Sequence, residues 1–197
     1  TTKPVVCAGK MEPEFAAKEI AEGRIDAMGV GRQNLVDPEW INKLLEDREE
    51  EIKPCINCHN ACFNFNCSKG TPNMQPMDDA LHLARCALTP PTMQHNKYKI
   101  VPTKNPKKVA IVGGGIGGME CALVLKKRGH TPVIYEKSDK LGGQIHYAMQ
   151  PLKKDHFKPL IPYFEATVEA NNIPVIYSTE ATVENIMAMD PDVVIFA

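Results

Sequence analysis

The run Lys108-Val109-Ala110-Ile111-Val112-Gly113-Gly114-Gly115-Ile116-Gly117-Gly118-Met119-Glu120 limits what this chain can fold into more than any other stretch. Val109 to Val112 read as a short buried strand, and the glycines end it. Residues 119–127 then place Met119, Ala122, Leu123 and Leu125 at helical spacing. The order is strand, glycine turn, helix, with Gly113, Gly115 and Gly118 in the pattern G-x-G-x-x-G. The first glycine permits the tight turn, the second lets backbone approach a pyrophosphate, and the third lets the helix lie close to the strand. Gly114 and Gly117 complete the turn and count among its nucleotide-binding residues. The helix N-terminus adds unpaired N–H groups and a partial positive charge for phosphate.

The flanks fit the same unit. Gly129 stops the helix, and residues 132–136 read as the second strand, ending at Glu136. An acid about twenty residues past the glycines suits a ribose hydroxyl and favours an unphosphorylated ribose, as in FAD or NAD. Lys137 follows it, and Leu141-Gly142-Gly143-Gln144 would lie beside the bound nucleotide. Further on, Leu160, Ile161, Phe164 and Val168 mark a helix over 157–171, and 173–177 and 192–197 read as strands.

Residues 1–47 make a β-α-β-α pattern. A strand at 4–8 leads into the turn Gly9-Lys10, and Pro13 opens a helix with Phe15, Ala16, Ile20 and Ala21 on its apolar face. Ala27-Met28-Gly29-Val30-Gly31 is the second strand, followed by Arg32. Asp37 and Pro38 are placed to cap and start a helix striped by Trp40, Ile41, Leu44 and Leu45. Two parallel strands cannot bury both their faces alone, so this piece needs more sheet. Gly9, Lys10, Gly31 and Arg32 at the strand ends suit a phosphate site like that of the last two units of a TIM barrel. Spacing alone equally allows plain turn glycines and a surface arginine.

Between these parts the chemistry changes. Seven cysteines is an odd count, and Cys55, Cys58, Cys62 and Cys67 crowd into one stretch. C-x-x-C-x-x-x-C in an intracellular chain points to an inorganic centre rather than disulfides. Soft sulfur donors select zinc or an iron–sulfur cluster, and either needs a fourth thiolate, for which Cys86 and Cys67 compete. His59 stands among these cysteines, either tuning the centre or as an ordinary loop histidine. Residues 68–79 read as an exposed loop. The prolines and lysines of 90–108 read as a linker, with a boundary near residue 104. Cys7 and Cys121 sit in apolar elements and are expected to be buried packing residues.

Composition sets outer bounds. A net charge of −1 offers no nucleic-acid footprint. No apolar run is long enough for a transmembrane helix, and no signal-peptide pattern opens the chain. A cytoplasmic location, with no membrane partner, is expected. The chain opens on one buried strand and stops in another, as a piece of a longer polypeptide would.

Taken together, Pro4-Val5-Val6-Cys7-Ala8-Gly9-Lys10, Met28-Gly29-Val30-Gly31-Arg32, Asp37-Pro38-Glu39-Trp40, the cysteine triplet, Cys86-Ala87-Leu88-Thr89-Pro90, the glycine motif and Leu141-Gly142-Gly143-Gln144 carry a family resemblance. The chain resembles the iron–sulfur flavoenzyme branch of the old yellow enzyme family, which includes 2,4-dienoyl-CoA reductase, 2-enoate reductase and trimethylamine dehydrogenase. The resemblance implies an α/β chain of three parts. Residues 1–47 would be the last two β/α units of an FMN-binding TIM barrel, 48–104 an iron–sulfur segment and linker, and 105–197 a truncated Rossmann-like FAD-binding domain.

It further implies that Gly9, Lys10, Gly31 and Arg32 hold the FMN phosphate and that Cys55, Cys58, Cys62 and Cys86 ligate a [4Fe–4S] cluster. Electrons would run from NAD(P)H to FAD, through the cluster to FMN, and on to an activated carbon–carbon double bond in a small unsaturated substrate. The family spaces its third and fourth cysteines more closely, whereas 23 residues separate Cys62 from Cys86 here. Cys86 is preferred because Ala87-Leu88-Thr89-Pro90 matches the residues that follow the family's last ligand. No catalytic residue is expected within the chain, since the barrel units that carry the substrate pocket and the second, NAD(P)H-binding glycine motif are missing and would come from further sequence or a partner subunit. Two alternatives stand beside the reductase: an amine-dehydrogenase-like enzyme that passes electrons to a protein acceptor, and a non-catalytic electron-transfer or assembly piece.

Overall fold

A computed structural model of the chain describes residues 2–60, 62, 84–150 and 155–197. Cys67, His82 and the loop expected at 68–79 lie outside the described residues.

The first part is a two-stranded parallel sheet. β1 (Val6–Ala8) pairs with β2 (Ala27–Gly29), joined through α1 (Pro13–Ala21). Both strands are shorter than the sequence suggests, because only the paired core of each is held by a neighbour. Ala16 of α1 is buried, but Phe15 and Ile20 are exposed. The helical stripe is therefore present without a full partner, as a two-stranded sheet dictates. Two short helices follow, α2 (Arg32–Val36) and α3 (Trp40–Leu45). α2 is not foreseen by periodicity, since five residues are too few to show one.

Asp37 does not cap α3, which Glu39 precedes without a side-chain cap. The Asp37 carboxylate is buried instead. It accepts from the Lys43 ammonium at 2.7 Å, the Lys53 N–H at 2.9 Å and the Glu39 N–H at 3.2 Å. A buried carboxylate needs this many donors to replace its water.

The second part is a four-stranded, all-parallel sheet in the order β5-β4-β3-β6. β3 (Lys108–Val112) leads through the glycine turn into α4 (Ile116–Lys127), then β4 (Thr131–Tyr135). The short α5 (Ile145–Ala148) and α6 (Leu160–Ala170) follow, then β5 (Val175–Ile176), α7 (Val183–Ala188) and β6 (Val193–Phe196). Gly129 ends α4 at φ +90°, the left-handed position that a stop glycine fills.

β3 is central and covered on both faces, which explains its continuous apolar run. Val109 and Ile111 face α4 and α6, packing with Met119, Leu123, Tyr163, Phe164 and Val168. Ala110 faces α7, packing with Tyr135 and Ile186. α7 is also unforeseen, though Thr182 and Asn185 form a reciprocal capping box at its start.

The cysteine segment is part of this second core. Ile56, between Cys55 and Cys58, is buried among Val109, Met119, Leu160 and Tyr163, with Leu88 packed against the same cluster. At its far end Thr89 and Thr92 donate their hydroxyls to the carbonyls of Val36 and Leu35, both at 2.6 Å, tying it to α2. Cys7 and Cys121 are half-buried rather than enclosed. Among the described residues, no helix is long and apolar enough to cross a membrane.

Candidate functional site

The glycine turn is built as a close contact between β3 and α4. A Cβ on Gly118 would stand 2.0 Å from the Gly113 carbonyl oxygen, so helix and strand touch backbone to backbone. A Cβ on Gly115 or Gly117 would meet nothing within 4 Å. The turn is therefore packed tight beneath and open above. No side chain caps the N-terminus of α4. Its first N–H groups face that open space, as a pyrophosphate requires.

Glu136 lies just past β4 and is buried. Its Oε2 accepts from the Gly114 N–H at 2.8 Å, while Oε1 accepts from the Ser138 N–H at 2.8 Å and the Ser138 hydroxyl at 2.7 Å. Burial alone would push its carboxyl up. The bonds from Ser138 and Gly114, with the charge of Lys137, outweigh that and hold it below the usual carboxylate value. Three of its four acceptor positions are filled, leaving one for a ribose hydroxyl. Lys137 itself is exposed.

The 141–144 loop crosses over the turn. The Gly142 N–H donates to the Gly114 carbonyl at 2.9 Å, and a Cβ on Gly143 would lie 3.2 Å from the Gly115 Cα. Gly143 and Gln144 are exposed beside the open space. His146 fastens this loop by donating Nε2–H to the Leu141 carbonyl at 2.7 Å. A carbonyl only accepts, which fixes the tautomer. Nothing in the spacing of the histidines reveals this contact.

The second site is a pocket lined by Cys55, Cys58, Cys62 and Cys86 together with Arg32, Leu35, Val36, Ile56, His59, Arg85, Ala87 and Leu88. It encloses about 350 Å³ including its open mouth. Four thiols from two separated segments thus share one cavity. Burial pushes the Cys62 thiol up, and the nearness of Cys55, Cys58 and Cys86 pushes it further. Among the described residues, no three His, Cys, Asp or Glu side chains are grouped around a single ion. Thiolates on one zinc stand about 3.8 Å apart, from a Zn–S bond of about 2.3 Å and tetrahedral angles. A cuboidal iron–sulfur cluster spreads its thiolates over four corners and needs a wider pocket. Four soft thiol donors around one cavity fit a thiolate-held inorganic centre, zinc or an iron–sulfur cluster.

Gly9 (φ +132°) and Lys10 (φ +61°) form the turn after β1, and Gly31 and Arg32 follow β2, its parallel neighbour. The four share one end of the small sheet, where strand C-termini meet. Lys10 is exposed, whereas Arg32 turns toward the cysteine segment. It lines the cysteine pocket, and its Nη1 lies 2.7 Å from His59 Nε2. A guanidinium only donates, so His59 accepts at Nε2 and carries its proton on Nδ1. His59 is thus no idle loop residue, and it lines the cysteine pocket. It joins the cysteine loop to the turn after β2.

A family model for an NAD(P)-binding Rossmann-like domain matches residues 111–172. The NADH oxidase of Thermoanaerobacter brockii is 38% identical over 198 residues, covering 98% of this chain and 28% of that protein. The cinnamate reductase of Clostridium sporogenes is 32% identical over 195 residues, with coverages of 98% and 28%. Among solved structures, 2-naphthoyl-CoA reductase in complex with 2-naphthoyl-CoA superposes over 100% of this chain and 28% of that one. Its TM-score is 0.85 and its identity 32%. The chain belongs to the iron–sulfur flavoenzyme branch of the old yellow enzyme family. It spans little more than a quarter of the length of these relatives in that branch.

Proposed function

We propose that the chain forms part of an NAD(P)H-dependent flavin and iron–sulfur oxidoreductase that reduces an activated carbon–carbon double bond in a small unsaturated substrate. The observation that carries this reading is the pocket that gathers four cysteines beside the turn after β2 and the core under the glycine turn. Arg32, from the turn after β2, forms one wall. Ile56 and Leu88, behind another wall, are built into the core under the glycine turn.

In this reading the domains are 1–47, 48–104 and 105–197, as the family pattern sets them. Cys55, Cys58, Cys62 and Cys86 hold a [4Fe–4S] cluster. Gly9, Lys10, Gly31 and Arg32 hold the phosphate of FMN. Gly113, Gly114, Gly115, Gly117 and Gly118 form the floor for the FAD pyrophosphate, with Glu136 and Lys137 at the ribose and Gly143 and Gln144 over the turn. When bound there, the cluster and flavins would supply the chemistry that splits the two-electron hydride of NAD(P)H into single-electron steps toward the substrate.

The chain's own residues position and insulate. The Gly114 N–H and the Ser138 groups keep Glu136 ionised and pointed at the turn. His59 fixes the Arg32 guanidinium by accepting at Nε2 from its Nη1–H. Leu35, Val36, Ile56 and Leu88 give the cysteine pocket an apolar lining behind its mouth, where Cys58 is exposed. The substrate pocket, the remaining barrel and the NAD(P)H-binding unit would come from further sequence or a partner subunit.

The test is iron, acid-labile sulfide and flavin content of anaerobically purified protein. About four iron and four sulfide per chain, with FAD and FMN, are expected from the cysteine set. Zinc without sulfide would overturn the electron path, and ADP in place of FAD would move the assignment to the amine-dehydrogenase side of the branch.

A further inference from the structure

Lys53 bonds several separate elements, and neither the nucleotide sites nor the cysteine ligation accounts for it. It precedes Cys55 by two residues, and its side chain is largely buried, at 13% exposure. Its Nζ donates to the carbonyl of Leu88 at 3.2 Å, two residues past Cys86. The same ammonium lies 3.4 and 3.3 Å from the two carboxylate oxygens of Glu120 on α4, and 5.7 Å from the centre of the Tyr163 ring on α6. Its backbone N–H donates to buried Asp37, and its carbonyl accepts from Gln33 Nε2 at 2.9 Å. One residue thereby ties both ends of the cysteine segment to α4, α6 and the barrel end.

The placement has an electrostatic consequence. Leu88 lines the cysteine pocket, so the Lys53 ammonium sits directly behind that wall. An ammonium held in a low-dielectric environment acts over longer range than one in water. A cluster held by four thiolates is anionic, and reduction adds further negative charge. A fixed cation nearby favours the reduced form, and a fixed anion opposes it. Glu120, 39% exposed, is the counter-charge, screened more by solvent than Lys53.

We infer that Lys53 is a positioning residue for the redox centre, one that clamps the two ends of the cysteine segment onto the Rossmann-like core and raises the centre's reduction potential, with Glu120 as its opposing partner. The inference rests on the cluster reading above. Glu120 lies two residues past Gly118, on the helix whose N-terminus faces the nucleotide. The ion pair therefore links the cysteine segment to the helix that follows the glycine turn.

The test is a potentiometric titration followed by electron paramagnetic resonance on anaerobically purified parent protein, Lys53→Met, Lys53→Arg and Glu120→Gln, with iron and sulfide measured on each. Lys53→Met is expected to shift the midpoint negative and Glu120→Gln to shift it positive, with Lys53→Arg close to the parent. A purely structural clamp would not give shifts of opposite sign. Unmoved midpoints at full iron content, or shifts of the same sign, overturn the inference. If Lys53→Met loses its iron, Glu120→Gln, which leaves the cysteine segment unaltered, decides by its sign alone. A parent protein without sulfide instead sinks the cluster reading, and this inference with it.

Discussion

Two alanine substitutions in the glycine turn separate folding from ligand binding. At Gly118 the new Cβ would stand 2.0 Å from the Gly113 oxygen and 3.1 Å from its carbon, against the 3.4 Å at which ordinary contact begins. Strand and helix must move apart by well over an ångström. Overpacking of this kind costs about 1–3 kcal/mol or more, and alanine returns only about 1 kcal/mol of helix propensity. A net loss of about 2 kcal/mol lowers the melting temperature by roughly 4–8 °C in a protein of this size. At Gly115 nothing lies within 4 Å and the backbone is extended (φ −70°, ψ 179°), so alanine fits. Its cost there is no more than about 1 kcal/mol, the loss of a favoured helix cap. The added methyl instead occupies the open floor of the pyrophosphate site. The assay is thermal unfolding of each variant beside calorimetric titration with ADP, the moiety common to FAD and NAD. Gly115→Ala is expected to keep its stability and lose at least about tenfold in ADP affinity, or about 1.4 kcal/mol. Gly118→Ala is expected to lose both. Parent-like ADP binding by Gly115→Ala, or parent-like melting of Gly118→Ala, would refute the two-sided description of the turn.

Three further outcomes follow from the packing and charges. Ile56 is 7% exposed in the Rossmann-like core, so Ile56→Ala is expected to cost about 3 kcal/mol and Ile56→Val about 1 kcal/mol by urea unfolding. Equal effects of the two would mean that the side chain is not packed there. Glu136 titrates below its ordinary value in the folded chain, so its contribution is present above about pH 4.3 and is lost as pH falls through the lower folded value. Urea midpoints measured from about pH 6 to about pH 3 should fall more steeply for the parent than for Glu136→Gln. Cys86→Ala is expected to lose iron and sulfide while Cys67→Ala keeps them; the opposite result would transfer the fourth ligand to Cys67.

The parts of the chain legible in advance are those whose chemistry is local. Gly113, Gly115 and Gly118 announce a turn because each answers a steric demand within a few residues, and β3, α4 and β4 appear where that motif puts them. Three cysteines in one loop likewise announce by their spacing the common pocket that they line with Cys86. What periodicity misses is held by partners far away in sequence. Lys53 meets Glu120 across 67 positions, and His59 meets Arg32 across 27. Asp37 has the look of a helix cap because it precedes a proline, yet Lys43 and Lys53 draw its carboxylate inward. α2, α5 and α7 are too short to show a hydrophobic repeat of their own. The placement of Ile56 in the core is invisible for the same reason, since a single apolar residue between cysteines has no periodic neighbours.

That placement bears on how such chains can be recombined. The proline- and lysine-rich stretch before residue 108 invites a cut near residue 104 to exchange one nucleotide domain for another. Such a graft would leave Ile56 and Leu88 behind with the donor of the cysteines, and the transplanted sheet would carry a hole beneath α4 and α6. A chimera with a sound interior must take residues 53–57 and 84–92 along with the strands. The unit of exchange is then the sulfur loop and the nucleotide fold together, inherited as one block although the chain writes them as two.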